Sequence, residues 1–331
     1  MRLSSPFRWL APAGPRARLS IFIFHRVLAQ PDSLRPSEPD VPRFERIVEF
    51  VVRYFQVVPL SHALRALQEG KLPAGAACIT FDDGYADNLL LAAPVLRRHA
   101  ASATVFVATG FSGGGRMFND SVIEAVRVLN GDVDWREFGL GEHRIDDDAD
   151  RLELIQRTLT DLKYREPSMR TEIAAELAAR AGVGRTSDLM LSPSQLVHWR
   201  NDGLEVGGHT VNHPILSRLA DAAAYEEIAA GRDQLAQWLG AAPEAFAYPN
   251  GMPGRDYGPR DVDLVKRAGY RGAVSTARGA AGRGVDIYQL PRFTPWDRSM
   301  WRFGLRCAET LVKTPRVARH AAAESNNEVR T

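Results

Sequence analysis

Thr80-Phe81-Asp82-Asp83-Gly84-Tyr85 places two adjacent carboxylates directly behind the apolar run Ala76 to Ile79. Neighbouring carboxylates repel unless a cation lies between them or one keeps its proton, so the pair invites a metal. Taken alone, it reads equally well as an Asp-Gly turn closing a strand. A second strand-like run, ending in Gly207-Gly208, leads into His209-Thr210-Val211-Asn212-His213. Two histidines four apart on a helical turn face the same way and can share one divalent ion, although an isolated pair of this spacing is more often a surface or capping feature. Jointly the motifs offer one Asp and two His, a three-ligand set that leaves a position open for water, as catalytic zinc sites require.

Both motifs must be held by something, and short β-rich runs recur between helix-like segments: Ser20–Phe24, Ala76–Phe81, Ala103–Ala108, Leu204–Gly208, Ala245–Tyr248, Gly272–Ser275 and Ile287–Leu290. Such alternation is the pattern of a parallel α/β fold, which places its active site at the C-terminal ends of its strands. A barrel and an open doubly wound sheet both fit about seven strands. Among the helices, Ser192-Pro193-Ser194-Gln195 reads as a capping box. Asp221 reads as the N-cap of a helix whose Tyr225, Ile228, Leu235 and Leu239 share a face, stopped by Gly240. The interval from about 112 to 191 breaks the rhythm with helical patterns and no convincing core strand, and reads as an inserted helical subdomain. Within it, Asp146-Asp147-Asp148 lacks the full calcium-loop spacing and reads as a solvated acidic loop.

Composition narrows the function class. The chain has 331 residues and 42 Lys and Arg against 40 Asp and Glu, a net charge of +2 that argues against a nucleic-acid binder. Cys78 and Cys307 lie far apart and suggest neither a disulfide framework nor a thiolate metal site. No run approaches the ~18 apolar residues of a membrane span, and the Arg-bearing N-terminus lacks the apolar stretch of a secretory signal. The expected location is the cytoplasm or the periphery of a membrane. The latter rests on Ser299–Lys313, which places Trp301, Leu305 and Leu311 among Arg302, Arg306 and Lys313, although a helix docked on the barrel is the favoured reading of them.

The first two motifs, the run Gly203 to Gly208 before the second, and Ala247-Tyr248-Pro249-Asn250-Gly251 together resemble the motif series of the polysaccharide deacetylases, the NodB homology domain of carbohydrate esterase family four. The resemblance covers the frame from about Leu19 to Pro295, with the insertion outside it. It implies a distorted (β/α) barrel of about seven parallel strands, with an N-terminal tail at 1–18, the barrel at 19–298 and a C-terminal helix with a frayed tail at 299–331. It also implies metal-dependent hydrolysis of an acetyl group from an acetylated glycan. Carried over by position, Asp82 matches the general base and Asp83, His209 and His213 the ligands of one divalent ion, usually zinc, with cobalt, nickel or manganese as alternatives.

Two departures stand out. Ala247 occupies the place where many members carry a base-orienting Arg, and Leu290-Pro291-Arg292-Phe293 replaces a segment ending in a catalytic His. The Tyr-Pro-Asn-Gly and Leu-Pro-Arg forms, with Phe24-His25-Arg26-Val27, resemble a bacterial subgroup associated with exopolysaccharide and surface-glycan synthesis. His25 is therefore the candidate to supply the proton or orient the water, and Arg292 the candidate replacement cation, with an ion pair to Asp82 as the expected geometry. Tyr85, Tyr248, Asn250, Arg292 and Trp296 are candidate sugar contacts. A non-catalytic glycan-binding scaffold and a hydrolase of another non-peptide amide are the competing readings. Retention of all four core residues weighs against the first.

Overall fold

The computed structural model describes residues 5–184, 188–313 and 317–318. Its strands are β1 (Ser20–Phe24), β2 (Gln56–Val57), β3 (Ala76–Phe81), β4 (Thr104–Val107), β5 (Gly131–Asp134), β6 (Glu142–Ile145), β7 (Glu205–Gly208), β8 (Ala245–Ala247) and β9 (Gly272–Val274). The helices are α1 (Pro6–Leu10), α2 (Val41–Tyr54), α3 (Leu60–Glu69), α4 (Ala93–Arg98), α5 (Phe118–Val128), α6 (Asp148–Lys163), α7 (Pro167–Arg180), α8 (Pro193–Asn201), α9 (Asp221–Leu239), α10 (Pro259–Arg267) and α11 (Met300–Val312).

A parallel sheet runs β1-β3-β4-β7-β8-β9, with β2 added alongside β3. Residues of β1, β3, β4, β8 and β9 are buried throughout, which is why these strands read as continuous apolar runs rather than alternating ones. Helices cover the sheet through apolar stripes. Helix α2, capped by Asp40, buries Phe44, Ile47, Val48 and Val51, each worth about 1.5–3 kcal/mol in transfer from water. The result is a distorted (β/α) barrel.

Its closure differs from the expected one. Ile287–Gln289 is a 3₁₀ turn rather than a seventh strand, because the Asp286 carboxylate accepts from the Tyr288 amide and turns the chain. Only isolated bridges remain, Leu290 on Val274 and Phe293 on Phe22, and these seat Leu290–Phe293 between β9 and β1. The seventh strand is β2, too short and too exposed to stand out as an apolar run.

The insertion contains α5, α6 and α7, packed around Val122, Val126, Leu154, Leu162 and Leu177 as a core of their own. It also holds an antiparallel hairpin, β5 with β6, which the reading of a purely helical insertion lacks. Val133 and Ile145 are the inward residues of the hairpin, while Asp132 pairs with Arg144 on the outside at 3.1 Å, so polar positions mask the strands. The expected acidic loop is a helix start, with Asp147 accepting from the amides of Ala149 and Asp150. Ser192 and Gln195 form the expected capping box, and Gly240 ends α9 at φ +71°. Asp221 does not cap α9; Ala220 holds that position and Asp221 sits in the first turn, where its charge meets the positive end of the helix dipole.

The described part of residues 1–18 is not a free tail, since Phe7 is buried and stacks on Phe55 at 4.7 Å. Helix α11 docks through Phe303, Cys307 and Leu311, leaving Trp301 and Leu305 exposed. The expected frayed tail beyond 313 lies almost wholly outside the described residues. No helix among them is long and apolar enough to cross a membrane.

Candidate active site

Asp82 and Asp83 leave the end of β3 in opposite directions. The Asp82 amide donates to the Phe24 carbonyl at 2.9 Å, continuing the sheet, whereas Asp83 turns into the left-handed region at φ +73°. That backbone strain separates two carboxylates which would otherwise repel. Asp82 goes to Arg292, in a bidentate pair with Nη1–Oδ1 at 2.6 Å and Nη2–Oδ2 at 2.7 Å. Asp83 goes to the histidines.

The segment His209–His213 is not the helical turn its spacing suggests. It is an open loop with Thr210 at φ +69° and His213 at φ +52°, and the His213 amide donates to Thr210 Oγ1 at 3.1 Å. Glu227 of α9 holds the loop by accepting from the amides of Val211 and Asn212 and from the Asn212 side chain. Gly231, one turn further along α9, lets the loop lie against the helix; a Cβ there would stand 3.0 Å from the Thr210 carbonyl carbon and oxygen. The fold thus uses tertiary contacts where the spacing pointed to a helix.

Asp83 Oδ1 lies 3.4 Å from His209 Nε2 and 3.5 Å from His213 Nε2. His209 Nδ1 donates to the Ala247 carbonyl at 2.7 Å, which leaves its Nε2 free of hydrogen and facing Asp83. Asp83 Oδ1 is buried and accepts no hydrogen bond among the described residues. Donors on a tetrahedral ion at zinc-like bond lengths are roughly 3.3–3.6 Å apart. An orphaned buried oxygen at that spacing from two ring nitrogens fits a divalent cation. Burial, reinforced by the nearby charge of Arg170 against the pull of Asp83, pushes His213 down to about 3, so its ring is neutral and able to ligate at neutral pH.

Burial alone would raise the pKa of Asp82, but the charge and hydrogen bonds of the Arg292 guanidinium outweigh it and hold the carboxyl below its usual range. His25 follows β1 and looks onto the same space. Burial lowers its pKa, yet the carboxylates of Asp83, Glu38 and Asp82 together hold the imidazole above its ordinary value.

His25, Asp82, Asp83, His209, His213 and Asn250 line one cavity of about 250 Å³. Four other expected contacts lie elsewhere. Tyr85 is buried beneath the mouth and donates to Asp120 at 2.9 Å, with the Arg26 guanidinium over its ring. Tyr248 stacks on Tyr257 at 3.8 Å and donates to the Tyr288 carbonyl, so it is packing. Arg292 has a wholly buried side chain, which removes it from the sugar contacts and leaves it as the partner of Asp82. Trp296 is 55% exposed outside the cavity, against Arg306. Asn119, Leu159 and Lys163 of the insertion also line the cavity; the only sequence signal for them is the position of the insertion between motif-bearing strands.

Residues 69–273 match the family model described as polysaccharide deacetylase. YxkH of Bacillus subtilis (strain 168), named for the same family, is 32% identical over 101 residues, and the match spans 30% of this chain and 34% of that protein. Among solved structures, IcaB from Ammonifex degensii aligns with a TM-score of 0.57 at 18% identity, covering 90% of this chain and 98% of that one. The Streptococcus pyogenes deacetylase PplD, solved in complex with acetate, aligns at 0.56 and 19% identity, covering 84% and 92%. At these identities the structural likeness concerns the fold.

Proposed function

This chain belongs to the polysaccharide deacetylase family, and from that premise we propose that it is a metal-dependent deacetylase hydrolysing the acetyl group, in the first instance N-acetyl, of a glycan or a carrier-linked glycan precursor. The observation that carries the reading is a carboxylate held by Arg292, Asp82, beside the cluster of Asp83, His209 and His213 in one cavity.

Asp83, His209 and His213 would hold one divalent ion, most simply zinc. The chemistry such an ion supplies when bound is Lewis acidity. Asp82 accepts the proton of the attacking water as its oxygen bonds to the acetyl carbon. Arg292 keeps Asp82 ionised and fixes its plane, so the second lone pair of each oxygen remains for the water. His25 lines the same cavity and supplies a proton to the nitrogen as the carbon–nitrogen bond breaks, leaving acetate and an amine. In this reading Arg292 takes over the place vacated at Ala247, whose backbone carbonyl instead fixes the His209 tautomer.

The test is acetate release from N-acetylated oligosaccharides by the purified protein, as isolated, after chelation, and after zinc or cobalt is restored. Release that depends on metal, falls about 10²–10⁴-fold in Asp82→Ala and falls also in His25→Ala supports the assignment. Stoichiometric metal with no release from any substrate would refute catalysis, and full turnover in His25→Ala would remove His25 from the mechanism.

A further inference from the structure

Helix α7 carries Arg170, 5% exposed, whose side chain makes no hydrogen bond or ion pair to any described residue. Its guanidinium lies over the Phe118 ring at 4.4 Å, and its buried Nε donates to nothing. The only carboxylate felt at longer range is Glu166, whose oxygen is engaged by the Ser168 and Met169 amides at the start of the same helix. A buried guanidinium is expensive to desolvate and stays charged, so a place without a counterion is unfavourable unless something else completes it.

Arg170 lines a cavity of about 720 Å³ next to the proposed catalytic one, and His213 borders both. Arg116 lines the same space; one of its nitrogens donates to the Gly184 carbonyl at 3.0 Å, while its Nε is buried without a partner. Lys163, at the end of α6, lines the catalytic cavity and likewise forms no ion pair with a described residue. Glu166, Glu172, Glu226 and Glu227 also line the larger cavity, but none of them forms an ion pair with Arg116 or Arg170. Glu227 is occupied by the His209–His213 loop, and Glu172 and Glu226 are exposed to solvent. The insertion thus delivers Arg116 and Arg170 to the larger cavity and Lys163 to the catalytic one, the two being bordered in common by Met117, Phe118 and His213.

We propose that this space is a subsite for an oxyanion carried by the substrate, so that the acetylated glycan is an acidic one, bearing a phosphate ester or a carboxylate a short distance from the acetylated sugar. Arg170 is the main anchor, since its planar fork matches both groups in a bidentate way. The proposal rests on the deacetylase reading for its substrate but not for its binding chemistry.

Binding is therefore measured first, by calorimetry, with N-acetylglucosamine 1-phosphate, glucuronate and neutral N-acetylglucosamine as probes, on the parent, Arg170→Met and Arg170→Lys. The expected result is tighter binding of one acidic probe than of the neutral one, a loss of that preference by tenfold or more in Arg170→Met, and partial retention in Arg170→Lys. Which probe gains identifies phosphate or carboxylate as the recognised group. Equal binding of all three probes by the parent, or an Arg170→Met variant that loses affinity for charged and neutral sugars alike, would overturn the subsite. In acetate release, the same substitution should raise KM for an acidic oligosaccharide relative to its neutral counterpart. If the parent hydrolyses neither, the deacetylase reading fails while the binding result still decides this one.

Discussion

Asp82 and Arg170 are both charged side chains withdrawn from water, and their surroundings could hardly differ more. The Asp82 carboxylate is matched oxygen by nitrogen in Arg292, across the barrel, whereas Arg170 meets an aromatic ring and no carboxylate. The barrel floor is thus electrostatically complete apart from a cluster that suits a cation; the insertion wall is incomplete in the opposite sense. A closed pair of this kind organises reacting groups before substrate arrives, because no reorientation is left to do. An open charge does the reverse and gains its partner only when a ligand brings one.

The contrast can be broken most directly through stability. Arg292→Met strands the Asp82 carboxylate in the barrel and should cost about 3–5 kcal/mol of unfolding free energy, measured by denaturant titration. A cost below about 1 kcal/mol would mean that the floor is not completed by this pair. A smaller effect should follow from Gly231→Ala, which adds a Cβ against the Thr210 backbone and moves the loop carrying both histidines. Metal affinity, read by competition with a chelator dye, should fall about 10–100-fold, the range seen when supporting groups around a ligand are lost. Unchanged affinity would show that the loop adjusts independently of α9. The smallest change is expected from Arg170→Met. Removing an unmatched buried charge offsets the lost contact with Phe118, so unfolding should stay within about 1 kcal/mol of the parent. A loss comparable to that of Arg292→Met would mean that Arg170 holds the insertion together and the contrast is false.

What the sequence makes legible divides along the same line. Buried parallel strands announce themselves as apolar runs, and chemistry-bearing residues placed directly behind them, such as Asp82 after β3 and His209 after β7, can be located to the residue. Capping signals at Ser192 and Gly240 are local and equally readable. What depends on distant partners is not. The loop His209–His213 owes its shape to Glu227 and Gly231, which no local spacing encodes, and the barrel is closed by bridges at Leu290 and Phe293 after a turn imposed by Asp286. Lys163 and Arg170 sit on helices whose periodicity is readable, but which wall of which cavity those helices form is decided by the packing of α5 against α6 and α7. Tyr248 misleads for a related reason: its place in a motif loop says nothing of the Tyr257 ring that covers it.

The pairing of Arg292 with Asp82 also has a consequence for the order in which the protein becomes competent as it is made. Asp82, Asp83, His209 and His213 all precede the cation that orients Asp82, which arrives only 79 positions after His213. At synthesis rates of roughly 5–20 residues per second this leaves an interval of roughly 4–16 s. During that time Glu227, Gly231 and the Ala247 carbonyl, which shape the His209–His213 loop, are supplied first, while Asp82 still lacks its partner. Arg292 is thus the last of these residues to be supplied, and a product truncated before it would leave the Asp82 carboxylate without its oriented partner.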